Sequence, residues 1–234
     1  MKSKLRLLAA SLLASAVCGT AFAQLDNFYA EGIAGITSFK LSTGKYTNNT
    51  FPQTAPATGT TANAVTVTST DKSDTALGLR VGYHLSDVFG VEGSYIYLGS
   101  PTVSGTAQLN TPVLSASAVT WKTEMKVTKW TFGFTAKHGF SDNLSIVGRF
   151  GIGTQRAEWG KTTTTATIAP NNSSATAGKI LEDAFPAQQR KADFDYGVAL
   201  SWKVNGHVNV ALGYDYVSGA QAANLVSASL KYSF

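Results

Sequence analysis

Residues Phe194 to Lys203 read F-D-Y-G-V-A-L-S-W-K, and they separate cleanly by parity. Phe194, Tyr196, Val198, Leu200 and Trp202 hold one set of positions; Asp195, Gly197, Ala199, Ser201 and Lys203 hold the other. Successive side chains of a β-strand point to opposite faces, so one face here is aromatic at both ends and aliphatic between them, and the other is small or charged. A half-buried soluble strand shares the alternation but rarely ends its apolar face in an aromatic on both sides. Aromatic girdles around an apolar band mark a strand that crosses a bilayer, with its other face turned to a polar lumen.

Seven further segments repeat the pattern. Phe28 to Ile36 sets Phe28, Ala30, Gly32, Ala34 and Ile36 outward and Glu31 inward. Thr75 to Leu85 sets Leu77, Leu79, Val81, Tyr83 and Leu85 against Arg80 and His84, and Phe89 to Tyr97 sets Phe89, Val91, Tyr95 and Tyr97 against Glu92. Lys129 to Phe140 turns Trp130, Phe132, Phe134, Ala136, His138 and Phe140 out and Lys137 in, and Leu144 to Gln155 turns Ile146, Phe150 and Ile152 out and Arg149 in. Val208 to Tyr216 and Asn224 to Phe234 complete the set, with Asp215 and Lys231 inward. Eight is an even number that closes an up-and-down antiparallel sheet, so the expected fold is all-β, an eight-stranded transmembrane barrel. Connections alternate in length as such a barrel requires: Ser86-Val88, Ser141-Asn143 and Val204-His207 are tight, whereas 40–74, 99–128 and 156–192 are long and rich in Thr, Asn, Ser and Ala. The tight turns are expected on the periplasmic side and the long connections outside, as loops.

The N-terminus supplies an export route. Lys2, Lys4 and Arg6 precede the apolar run Leu7 to Val17, and Ala21-Phe22-Ala23 is a small-x-small cleavage site, which predicts a signal peptide over 1–23 cut between Ala23 and Gln24, and a barrel domain over 24–234. The apolar run is too short to span a bilayer as a helix. Cys18, the only cysteine, lies inside the signal, and Val17 stands where a lipoprotein signal wants a small residue before it. The segment from Gln24 then carries sixteen Lys and Arg against fourteen Asp and Glu, a net charge of +2, so the basic character of the whole chain is a targeting feature and gives no reason to expect nucleic acid as a partner.

The run Gly82-Tyr83-His84-Leu85-Ser86-Asp87-Val88-Phe89-Gly90-Val91-Glu92-Gly93-Ser94-Tyr95, the eight strands and the terminal Leu230-Lys231-Tyr232-Ser233-Phe234 resemble the OmpA-like eight-stranded outer-membrane β-barrel family. The resemblance covers nearly the whole chain after the signal. It implies residence in the outer membrane of a Gram-negative bacterium, contact with outer-membrane lipids, and recognition of Tyr232 and Phe234 as an assembly signal by the barrel-assembly machinery. The sequence stops at Phe234, so the peptidoglycan-binding domain that follows the barrel in OmpA itself is not expected.

Catalytic motifs are weak. Gly160-Lys161-Thr162 lacks the glycine five positions earlier, where Gln155 stands, and a threonine run rather than a helix follows. Asn48, Asn171 and Asn172 begin Asn-x-Ser/Thr triplets of the kind Asn/Thr-rich loops produce by chance. His84, His138 and His207 fall at strand ends beside the tight turns, on the side away from outer-leaflet lipid A, and no G-x-S-x-G accompanies them. Neither an enzyme, a cofactor nor a metal site is expected.

What remains is an inward charge set, Glu31, Glu92, Asp195 and Asp215 against Arg80, Lys137, Arg149, Lys203 and Lys231. Pairing Leu85 with Phe89 makes Arg80 and Glu92 diagonal neighbours, Glu31 and Lys231 face each other where the barrel closes, and pairing Trp202 with Val208 sets Asp195 opposite Asp215. An eight-stranded interior is only wide enough for side chains to fill it, so paired charges are expected to plug it. The expected role is structural or adhesin-like, with host or other cell-surface molecules meeting the long loops. The alternative is a narrow porin for small solutes.

Overall fold

The structure is a computed structural model that describes residues 27–41, 61–111, 114–160, 163–166 and 188–234. Ala23 and Gln24, with the rest of the predicted signal, lie outside the described residues, as do Asn48, Asn171 and Asn172. The described elements are β1 (Phe28–Phe39), β2 (Thr61–Asp71), β3 (Ser73–His84), β4 (Phe89–Gly99), β5 (Thr102–Thr111), β6 (Leu114–Gly139), β7 (Leu144–Trp159), β8 (Thr163–Ala166), β9 (Gln188–Lys203), β10 (Val208–Val217) and β11 (Ala223–Ser233).

Eight of these close a ring. Antiparallel ladders run β1-β3-β4-β6-β7-β9-β10-β11, and β11 returns to β1 through Tyr29↔Ser233 to Phe39↔Ala223, so the sheet has no free edge at this level. Each strand keeps the parity its sequence announces. Leu79, Phe132, Phe194, Leu200, Leu212 and Val226 are exposed on the outside, while Glu31, Arg80, Ser145, Ser201, Asp215 and Ser227 are buried inside.

Two expectations are corrected. First, the long connections are not loops throughout. β2 runs into β3 across Lys72 alone, and β5 follows β4 after Ser100-Pro101, so the two pairs are the arms of one long hairpin. β6 continues for 26 residues, pairing β5 and β8 above the level where it pairs β4 and most of β7. The result is a four-stranded sheet, β2-β5-β6-β8, rising from one wall of the barrel. Threonine, which dominates this region, is β-branched and suits a solvated strand as well as it suits a loop.

Second, the β9–β10 hairpin pairs Trp202 with Val210, not Val208. The Val204 N–H donates to the Val208 carbonyl at 2.9 Å, and the Asn205 side-chain oxygen accepts from the N–H groups of His207 and Val208, which fixes the turn in this register. A two-residue slip preserves both faces. It does separate the acids: Asp215 stands opposite Gly197 and Asp195 opposite Val217.

Inside the upper barrel the inward residues change character. Phe39, Leu98, Val103, Trp121, Met125, Val127, Val217 and Leu225 form one apolar core, with Trp121 and Phe39 each about 2% exposed. Each large side chain so enclosed contributes roughly 1.5–3 kcal/mol.

Candidate functional site

The middle of the lumen is filled by five charged side chains from five strands. Arg80 of β3 donates through Nη1 to Glu31 Oε1 of β1 at 3.3 Å and through Nη2 to Asp215 Oδ2 of β10 at 2.9 Å, and its Nε lies 3.8 Å from Glu92 Oε1 of β4. Arg149 of β7 reaches Glu31 Oε1 at 3.2 Å, with its Nε 3.6 Å from Glu92 Oε1. Arg80 and Glu31 are all but sealed from solvent. A guanidinium presents its donors as a planar fork, and that geometry lets Arg80 serve three carboxylates converging from different strands. Charges taken this far out of water are held only while each keeps its partners.

Two local features make room. A Cβ at Gly82 would lie 2.3 Å from Tyr29 Cζ, so this glycine lets the Tyr29 ring lie across β3 and its hydroxyl donate to Glu92 Oε2 at 3.0 Å. A Cβ at Gly197 would lie 2.0 Å from Asp215 Oδ1, so Asp215 keeps its place because its cross-strand neighbour has no side chain.

A second layer sits above. Lys129 of β6 bonds Asp195 of β9, and Asp195 also accepts from Thr131 Oγ1 at 2.8 Å and from the Ser218 N–H at 3.1 Å. Lys129 Nζ donates to the Ser218 carbonyl at 2.6 Å. Gln155, fully buried, donates to the Gln221 carbonyl at 2.7 Å and accepts its N–H at 2.6 Å. The short turn between β10 and β11 is thereby pinned inward over the lumen. The space left between the two layers is about 40 Å³, room for a few water molecules.

Of the residues predicted from sequence, Glu31, Arg80, Glu92, Arg149 and Asp215 meet in one cluster, and Asp195 joins Lys129. Lys137 and Lys203 are not brought into either layer; both are exposed near the tight turns, and neither makes an ion pair among the described residues. Lys231 faces Glu31 in register, yet its ammonium rests over the Tyr29 ring, 4.7 Å from the centroid. Sequence reasoning missed Lys129 and Tyr29, although both share the inward parity of their strands. His84, His138 and His207 lie at the ends beside the tight turns, with His207 Nδ1 2.9 Å from the Ser233 carbonyl. Tyr232 and Phe234 contact edge to face at 5.2 Å, and the Phe234 N–H donates to the Phe28 carbonyl at 3.1 Å, which ties the last residue to the first described strand.

The outer face of the raised sheet is hydroxylic. Thr66 and Thr106 bond through their hydroxyls at 2.7 Å, and the same register row continues to Thr120. Lys122, Glu124 and Lys126 stand exposed along β6 beside it.

No curated protein matches the sequence. Among solved structures, OprG of Pseudomonas aeruginosa is 15% identical with a TM-score of 0.43, covering 89% of this chain and 97% of its own. Ail of Yersinia pestis, solved with the heparin analogue sucrose octasulfate, is 13% identical with a TM-score of 0.42, covering 88% and 99%. Neisserial surface protein A is 9% identical with a TM-score of 0.39, covering 88% and 97%. The sequence itself matches the model of the outer membrane protein beta-barrel domain over residues 9–234, nearly its whole length. With that match and a closed eight-stranded barrel, apolar outside and charged within, the chain belongs to the outer-membrane β-barrel domain family.

Proposed function

We propose that this protein is a closed barrel of the Gram-negative outer membrane that acts by contact at the cell surface, without a catalytic step and without passing solute. The observation that carries this reading is the Arg80–Arg149 cluster with Glu31, Glu92 and Asp215, capped by the Lys129–Asp195 layer and the apolar core above it. Three successive barriers of that kind leave a hydrated ion no continuous path. The contacting surface on this reading is the raised sheet, whose row of threonine hydroxyls offers donors and acceptors at regular spacing and whose lysines and glutamate offer both signs of charge.

Export through a signal peptide cut between Ala23 and Gln24, and recognition of Tyr232 and Phe234 by the barrel-assembly machinery, belong to the same proposal. Single-channel recording of the purified protein in planar bilayers tests it. The expected record is flat or near flat. A large, stable, solute-selective current from the unmutated protein would refute the closed lumen and establish the narrow porin instead.

A further inference from the structure

Below the ion cluster the lumen opens into a chamber of about 210 Å³ at the end that carries the tight turns. Lys137 of β6, Lys203 of β9 and Lys231 of β11 line it, together with Ser145, Ser201 and Asn209. Register explains the convergence. Asn209 is paired with Lys203 on one side and with Lys231 on the other, which sets the two lysines on the same face with one strand between them, and Ser145 is the direct partner of Ser201. Lys137 comes from β6, beyond Ser145 and β7.

The acids nearest these lysines leave a single negative charge to answer three ammonium groups. Glu31 and Glu92, which with Lys137 and Lys231 line a smaller space between the cluster and the chamber, are shared with Asp215 between Arg80 and Arg149, three carboxylates against two guanidiniums. His84 shares the wall with Lys137 and Lys231, and the one acid on the chamber itself is Asp142, on the exposed turn at its lip. Three lysines line this chamber, with the Lys231 ammonium at its inner end over the Tyr29 ring, and a concave wall of one sign concentrates ions of the other. Two serine hydroxyls and an asparagine amide add neutral donors on the same walls.

We propose that this chamber is a binding site for small multivalent oxyanions, phosphate-bearing in the first instance, held by Lys137, Lys203 and Lys231 with Ser145, Ser201 and Asn209 as neutral donors. Ammonium groups bind phosphate as point charges from several directions, and a tetrahedral anion with more than one charge fits three of them better than a single carboxylate does. The cluster closes the way upward, so the anion enters and leaves through the end with the tight turns. The site stands below the cluster and does not depend on a sealed lumen: a conducting wild-type protein would overturn the closed-barrel reading and leave this one intact.

Inorganic pyrophosphate titrated calorimetrically into the full-length protein, in phosphatidylcholine nanodiscs at low ionic strength, tests the site. Saturable one-to-one binding that weakens with added salt is expected. Lys203→Gln with Lys231→Gln should weaken it at least tenfold, while Lys122→Gln with Lys126→Gln, on the outer face of β6, should leave it unchanged. Lys137→Gln alone, on a different strand, should weaken it about threefold and covers the case in which the double variant does not fold, as judged by heat-modifiable migration. No saturable heat, or inner and outer variants behaving alike, would overturn the proposal. Nanodiscs of phosphatidylglycerol separate the sources of the phosphate: lost pyrophosphate binding assigns the chamber to a lipid headgroup, and unchanged binding assigns it to a free solute.

Discussion

The lower barrel and the raised sheet share one chain, one parity and one continuous strand, β6, yet their polarity is inverted. Low on β6 the outward residues are Trp130, Phe132 and Phe134 and the inward ones Lys129, Gly133 and Thr135; high on β6 the outward residues are Lys122, Glu124 and Lys126 and the inward ones Trp121, Met125 and Val127. Period-two alternation states only that two faces differ. Which face is apolar depends on what each meets: hydrocarbon outside and a cramped polar lumen inside for the lower part, water outside and a dry core inside for the upper. The strand is an outer-membrane strand for half its length and a soluble one for the rest.

If charge holds the lower interior, Arg80→Ala should be the most damaging single change. It strips one guanidinium from Glu31, Glu92 and Asp215, for an expected loss of about 3–5 kcal/mol in urea titrations in lipid vesicles, and it should admit measurable ion current. Little change in either would show that the cluster is not what holds the lower lumen.

If apolar packing holds the upper interior, Trp121→Ala should cost about 3–5 kcal/mol, and the loss should be confined to the upper strands. Amide exchange and proteolysis of β5 and the upper part of β6 should accelerate while heat-modifiable migration of the barrel persists. Collapse of both together would mean that the two regions unfold as one.

The outer faces give the smaller contrast. Leu200→Arg, on the lower outer face among Ile146 and Leu212, should cost about 2–4 kcal/mol. Thr120→Arg, on the upper outer face, should stay within about 0.5 kcal/mol. Equal penalties would erase the boundary drawn between Trp130 and Lys126.

Most of the ring was legible because parity is a local property: each segment carries its own inside and outside, and the tight turns announce themselves by length. Arg80 and Glu92 could be placed together because a short hairpin fixes its own register. The β9–β10 register was not legible at that precision, since whether Val204 belongs to the turn or to the ladder depends on the Asn205 side chain capping it. The upper core was invisible for a different reason. Val103, Trp121 and Met125 sit among Thr, Ser and Ala in stretches whose composition fits a solvated loop, and only the pairing of β5 with β6 shows that their parity faces one interior. Lys129 escaped notice because it stands at the changeover, the last charged inward residue before the core begins.

The length of β6 sets a distance. At about 3.3 Å per residue its 26 residues extend for about 85 Å, and a strand tilted by about 40° rises about 65 Å over that length. The apolar band takes up only about 25 Å, and Gly139 ends the strand at the tight-turn side. Most of the remainder therefore stands clear of the bilayer on one side, a mast that holds the far end of β6 tens of ångströms from the hydrocarbon.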